Sequence, residues 1–186
     1  DGDLDNQGDA YEAGNWFQII GFDQTLYAIE IALSARTDPG ALLKGVLYDQ
    51  DRSFLMETEE YEVNNNDLNT LGGTNYVCLP LIGPVDLTQD QSYLVTATHY
   101  GGPAELWVAT SGTSTPQTSL LFDGEVNDWF YVQQTPMVRM NLDPAADVPD
   151  QTLPNLSMHA TPTVFDDRTT IRFELGSAAR ITWQLT

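Results

Sequence analysis

SYLVTATHYGGPAELWVAT, residues 92–110, is the stretch whose period decides the fold. Tyr93, Val95, Ala97 and His99 alternate with Leu94, Thr96, Thr98 and Tyr100. That is the two-residue period of a β-strand, in which successive side chains point to opposite faces. Gly101-Gly102 can take positive φ and predicts a tight turn. Beyond it, Glu105, Trp107 and Ala109 alternate with Leu106 and Val108, the pattern of a returning strand. The expectation from this stretch is an antiparallel hairpin.

Similar runs lie on both sides. Upstream, strands are expected over 16–20, 26–33, 42–48, 54–63 and 76–82; Tyr27, Ile29, Ile31 and Leu33 form the inward face of the second. Asp38-Pro39-Gly40 is a type II turn, with proline fixing φ and glycine supplying its positive value. Downstream, SGTSTPQT at 111–118 reads as a polar loop, followed by strands over 120–122, 129–132 and 137–142. Short strands with regular turn signals and no helical period predict an all-β fold, an antiparallel, jelly-roll-like β-sandwich over residues 16–142. DPAADVPDQTLPN, 143–155, is rich in proline and acid and reads as a semi-rigid linker. Residues 156–186 return to strand patterns and form a small, incomplete β appendage.

The chain has 186 residues, 27 acidic and 7 basic, with a formal net charge of −20, and Lys44 is its one lysine. Such a surface repels nucleic acid and anionic membranes, so neither is expected as a partner. It suits solubility in salt or the holding of divalent cations. Cys78 is the single cysteine, so no intrachain disulfide forms. Among Val77, Leu79 and Leu81 it reads as a small core residue rather than a reactive thiol. No run reaches the roughly 18 apolar residues of a membrane span, and direct membrane insertion is not expected. No signal peptide is visible, and the chain opens on Asp1, as a processed or excerpted product would.

Residues 1–15, DGDLDNQGDAYEAGN, place Asp1, Asp3, Asp5, Asp9 and Glu12 at positions 1, 3, 5, 9 and 12 of a twelve-residue loop. Alternate carboxylates can converge on one hard cation, and a glutamate in the last position can bind it bidentately, so calcium is the expected cofactor of this leader. Asn6 replaces the usual glycine and Gly8 the usual aliphatic residue; a plain acidic leader is the other reading.

Catalytic signatures are missing from the sequence: there is no GxSxG, HExxH, P-loop or CxxC. Glu57, Glu59 and Glu62 lie at strand spacing beside other acids, where a solvated face is expected rather than a glycosidase pair. A non-catalytic protein is the expectation. The aromatic residues offer a binding surface instead. Trp16, Trp107, Trp129, Trp183, Tyr11, Tyr48, Tyr61, Tyr100 and Tyr131 could stack on sugar rings, and Trp107 with Tyr100, flanking the Gly-Gly turn, is the expected platform for a polysaccharide. The competing reading makes the tryptophans part of the core.

The last thirty residues carry one resemblance. In LSMHATPTVFDDRTTIRFELGSAARITWQL the positions Pro162, Phe165, Thr169, Thr170, Ile171, Phe173, Leu175, Ile181 and Leu185 resemble the first half of the C-terminal sorting domain of the type IX secretion system. Thr163-Val164 departs from the Asn-Pro of that pattern, and the second half of the domain is absent. The resemblance implies export to the cell surface or the medium. A unit of about 30 residues is too small to bury a sufficient core alone. Ile171, Phe173, Ile181 and Trp183 are therefore expected to form an assembly contact, by self-association or with other surface proteins. The sequence thus points to an exported, non-catalytic β-sandwich module with a structural or adhesive role, or to a carbohydrate-binding module of a larger hydrolase.

Overall fold

The computed structural model describes residues 10–69, 75–147, 157–161 and 170–174. The chain divides into two units, residues 1–147 and 148–186. Among the described residues no helix is long and apolar enough to cross a membrane.

The first unit is an antiparallel β-sandwich. Its larger sheet runs, in spatial order, β12 (Asp128–Tyr131), β11 (Ser119–Asp123), β1 (Ala10–Gln18), β9 (Ser92–Tyr100), β4 (Leu42–Tyr48) and β5 (Phe54–Glu57), with β6 (Tyr61–Glu62) also on β4. The smaller layer is β14 (Val138–Asn141), β2 (Gln24–Ile31) and β8 (Val77–Leu87). Two further pairs complete the unit: β10 (Thr110–Thr113) with β13 (Gln134–Pro136), and β3 (Leu33–Ser34) with β7 (Leu68–Asn69) in parallel. The chain passes repeatedly from one layer to the other, from β1 to β2, from β3 to β4 and from β8 to β9, as expected of a jelly-roll-like sandwich.

The core lies between the layers. Leu43, Leu47, Val95 and Ala97 from the larger sheet meet Leu26, Ile29, Ile31, Leu79, Leu87 and Val138 from the smaller. Each large side chain so buried contributes about 1.5–3 kcal/mol, which makes this layer contact the main stabilising term. A buried amide adds direction to it. Asn15 Nδ2 donates to the carbonyl oxygens of Pro136 (2.7 Å) and Val138 (3.0 Å), and Ser119 Oγ donates to Asn15 Oδ1 (2.9 Å). Every hydrogen-bonding group of this side chain is used, and it ties β1 to the opposite layer.

Several sequence expectations need correction. The strand over 92–100 is as read, but it has no hairpin partner in 105–110. Both edges of β9 are occupied, by β1 and β4. Gly101 and Gly102 do take positive φ, 86° and 133°. They turn the chain away from the larger sheet, and residues 105–109 run beside 32–38, where Ser34 N donates to Trp107 O and Ala109 N to Ala32 O. The loop expected at 111–118 begins with a strand, β10. The leader expected over 1–15 also ends earlier, because β1 starts at Ala10. Tyr27 does not share the inward face of Ile29 and Ile31: an irregularity between Leu26 and Ala28, opposite Ile82-Gly83-Pro84, shifts the phase of β2 so that Leu26 points inward. Cys78 is exposed, since the alternation that buries Val77, Leu79 and Leu81 turns it outward beside Glu30 and Asn141.

In the second unit, β15 (Ser157–Thr161) and β16 (Thr170–Glu174) form an antiparallel pair. Ile171 lies opposite Ala160 and Phe173 opposite Met158; Ile181 and Trp183, the other expected contact residues, fall outside the described residues.

Candidate functional site

The outer face of the larger sheet does not look like a solvated face. Residues directly opposite one another in an antiparallel pair share a face. The register therefore places Glu12, Gly14, Trp16, Leu94, Thr96, Thr98, Tyr100, Lys44, Val46, Tyr48, Phe54, Glu57, Leu120, Phe122, Trp129 and Tyr131 on this outer side. Leu94 and Thr96 are nonetheless fully buried and Thr98 nearly so.

Aromatic side chains provide the cover. The Tyr48 ring meets Phe54 and Trp129 edge-on, with centroids 6.5 and 6.1 Å apart, and Trp129 meets Phe122 at 5.3 Å. Tyr48 starts on β4, yet its hydroxyl donates to the Glu12 carboxylate on β1, 2.9 Å from both Oε1 and Oε2. Its ring therefore crosses β9. Trp129 comes from the opposite edge, and the two rings meet above the middle of the sheet. Below them β1 packs tightly against β9: a Cβ at Gly14 would lie 2.0 Å from the Val95 carbonyl oxygen.

Glu12 is the charged centre of the arrangement. Thr96 Oγ1 also donates to its Oε2, at 2.9 Å. Burial under the rings raises the carboxyl above the usual glutamate range, and the hydrogen bonds from Tyr48, Thr96 and Thr98 pull it part of the way back. The Tyr48 hydroxyl is pushed far up, first by burial and then by the neighbouring Glu12 charge, so it stays a donor at any physiological pH.

Around this covered centre runs an exposed rim. Phe54 is 59% exposed, Tyr100 56% and Tyr131 61%. Lys44 joins them: its ammonium pairs with Glu57 at 3.1 Å and lies 5.5 Å from the Tyr100 ring centroid. The hydrogen bond to Glu57 holds the Lys44 ammonium above its ordinary value, so its charge is fixed. The face thus offers aromatic surface, hydroxyls and one compensated ion pair.

The sequence-selected residues fall differently. Tyr100 belongs to this rim. Trp107 does not: it runs beside β3, its Nε1 donates to Glu105 at 3.1 Å, and the Arg36 guanidinium covers its ring at 5.3 Å. No ring contact joins Trp107 to Tyr100 among the described residues: Tyr100 stands on the outer face of the larger sheet, and Trp107 runs beside β3. Glu12 stands mid-strand with its carboxylate engaged, and is not the closing ligand of a cation loop. Asp1, Asp3, Asp5 and Asp9 lie outside the described residues. Among the described residues no three His, Cys, Asp or Glu side chains gather to hold a metal ion. His99 is buried, with Nδ1 2.9 Å from the Leu42 carbonyl oxygen and its ring beside Tyr11.

Sequence reasoning missed Glu12, Phe54 and Phe122 as members of one surface. The period of each strand fixes which residues share a side, but the assembly of that side depends on strand order. Comparison with protein-family models, with curated proteins and with solved structures finds no match for this chain.

Proposed function

We propose that the sandwich is a non-catalytic binding module that takes a neutral glycan on the outer face of its larger sheet. It acts in an exported protein with an adhesive role at the cell surface or in an extracellular assembly. The observation that carries the reading is the ring of exposed Phe54, Tyr100 and Tyr131 around the Tyr48–Trp129–Phe122 cover on one sheet face. A contiguous exposed apolar surface rimmed by polar groups is a binding feature rather than a solvated face. Pyranose rings present C–H faces that stack on aromatic faces, and hydroxyls that the Tyr100 and Tyr131 hydroxyls and the Lys44–Glu57 pair can meet. The net charge of −20 disfavours polyanionic glycans, which makes a neutral one the better fit.

Export and assembly rest on the C-terminal resemblance to the type IX sorting domain, in which Ile171, Phe173, Ile181 and Trp183 would supply the assembly contact. Calcium, on this reading, belongs to Asp1, Asp3, Asp5 and Asp9 without Glu12.

A polysaccharide array followed by titration under Trp fluorescence tests the glycan reading. Phe54→Ala and Tyr100→Ala change exposed side chains, so the fold should survive. Each is expected to weaken retention about tenfold, the loss of roughly 1.4 kcal/mol of stacking. An array on which nothing is retained, or retention unchanged in both variants, refutes the proposal. Retention of a surface protein in place of any glycan would favour adhesion by protein contact at the same face.

A further inference from the structure

A second feature lies on the other side of the larger sheet, beneath residues 108–110 and 132–136. Residues 108–110 and 132–136 pass over the inner faces of β1 and β11 and line with them a half-open pocket of about 320 Å³, with Thr110, Gln133 and Gln134 at its exposed mouth. Its walls are Ala13, Val108, Leu121, Val132 and Pro136, with the ring of Tyr11. The Tyr11 hydroxyl points away to a partner of its own, donating to Leu106 O at 2.6 Å, so the phenol presents its hydrocarbon part. No charged side chain lines the cavity, in a chain with 27 acidic and 7 basic residues.

Polar groups enter only through Thr110, Gln133 and Gln134. Thr110 Oγ1 donates to Gln134 Oε1 at 3.0 Å. That bond fixes the amide with its oxygen occupied, leaving its NH2 as a donor. Spacing is fixed as well: next along the inner face of β1, Asn15 clamps that strand to the carbonyls of Pro136 and Val138. Those bonds set the separation of the two walls at that end of the pocket.

We propose that this cavity binds a small uncharged molecule, mainly hydrocarbon, with a single carbonyl or hydroxyl acceptor at the end that meets the glutamine amides. The volume is at the lower end of the range for ligand pockets, about 300 Å³ upward. At about 30 Å³ per water-sized group it admits roughly ten non-hydrogen atoms. A carboxylate or ammonium would be partly desolvated against Leu121, Val108 and Val132 with no counter-charge, so ions are disfavoured. A sugar would leave most of its hydroxyls without partners on the same walls. The inference does not rest on the glycan reading, since it concerns the opposite side of the sheet.

Titration of the full chain with 2-octanone, 1-octanol and, at pH 8, octanoate tests it, read by calorimetry and by methyl NMR shifts. The expected result is saturable one-to-one binding of the ketone and the alcohol, with octanoate weaker by about tenfold or more. Val132→Trp fills the cavity from a half-buried position and should abolish binding while the thermal midpoint is kept. Gln134→Leu should weaken the ketone by a few-fold, the loss of one hydrogen bond at the exposed mouth of the pocket. If Val132→Trp does not fold, Val108→Phe on the facing wall makes the same comparison. No saturable binding of ketone or alcohol within their solubility overturns the proposal. So does octanoate binding as tightly as the ketone, or binding that survives the cavity-filling substitution.

Discussion

Replacing Glu12 separates what its charge costs from what its hydrogen bonds contribute. Burial holds its carboxyl above the usual range. Between the ordinary glutamate value of about 4.3 and that raised value, the folded chain keeps a proton that the unfolded chain has released. Stability therefore falls as pH rises through this window and becomes level above it, the reverse of a salt-bridged carboxylate. Glu12→Gln removes the titration and keeps the contacts: the amide oxygen accepts from Tyr48, and the amide nitrogen donates to Thr96 Oγ1. Relative to this variant the natural chain should lose stability from about pH 4.3 upward. Glu12→Ala instead leaves the Tyr48 and Thr96 hydroxyls without their acceptor. Thr96 is fully buried but has Thr98 Oγ1 at 3.3 Å to turn to, and half-buried Tyr48 can reach water. The cost should accordingly be modest, roughly 1–2 kcal/mol. Urea unfolding of the three proteins from pH 4 to 8, followed by Trp fluorescence, gives these differences directly. A gap between the natural chain and Glu12→Gln that stays constant with pH, or moves in favour of the natural chain as pH rises, would refute the burial argument. Equal stability of the Ala and Gln variants would refute the hydrogen-bond argument.

Three other outcomes are expected. Gly14→Ala should prevent folding or cost at least about 3 kcal/mol, because its Cβ would lie 2.0 Å from the Val95 carbonyl oxygen, a backbone atom that cannot rotate away; a soluble variant with an unchanged urea midpoint would contradict this. Asn15→Ala strips two carbonyls and a hydroxyl of their partner in the core and should cost roughly 2–4 kcal/mol, with Ser119→Ala near 1 kcal/mol, both read from urea midpoints. Calcium, if held by Asp1, Asp3, Asp5 and Asp9, should raise the thermal midpoint by mass action; superimposable melts in calcium and in excess EDTA, with no heat of binding, would end that reading.

Much of the fold is legible in the sequence because strands write their own period. Residues 42–48 and 92–100 coincide with β4 and β9, since alternation, β-branched residues and flanking turns all agree there. Residues 104–109 carry the same alternation without becoming the second arm of a hairpin. A local period says that a segment is extended, but not which edge it will meet, and the edges of β9 go to β1 and β4 from far away in the chain. The 10–15 segment failed for a different reason. Acidic spacing at Asp1, Asp3, Asp5, Asp9 and Glu12 suggested a loop, while Tyr11, Ala13 and Asn15 already alternated as the inward face of β1. Glu12 is then the outward residue between two inward ones, and it tolerates burial only because Tyr48, thirty-six residues on, brings a hydroxyl to it.

The same dependence on distant strands separates two parts of the candidate face. Trp129 touches both Tyr48 and Phe122, on the same outer face as fully buried Leu94 and Thr96, so the three rings serve the fold as a third layer on the outside of the sandwich. Loss of any of them uncovers apolar floor and a charged carboxylate together. Phe54, Tyr100 and Tyr131 have most of their area in water, although the Phe54 ring also meets Tyr48 edge-on and the Tyr100 ring lies beside the Lys44 ammonium. A surface that keeps three large rings exposed around a sealed centre bears a solubility cost. The sealed centre makes the face rigid, and rigidity lowers the ordering cost of binding. On the proposed reading, recognition would belong to the rim and stability to the cover, so substitutions in the rim, and not Trp129→Ala, separate a binding surface from a structural one.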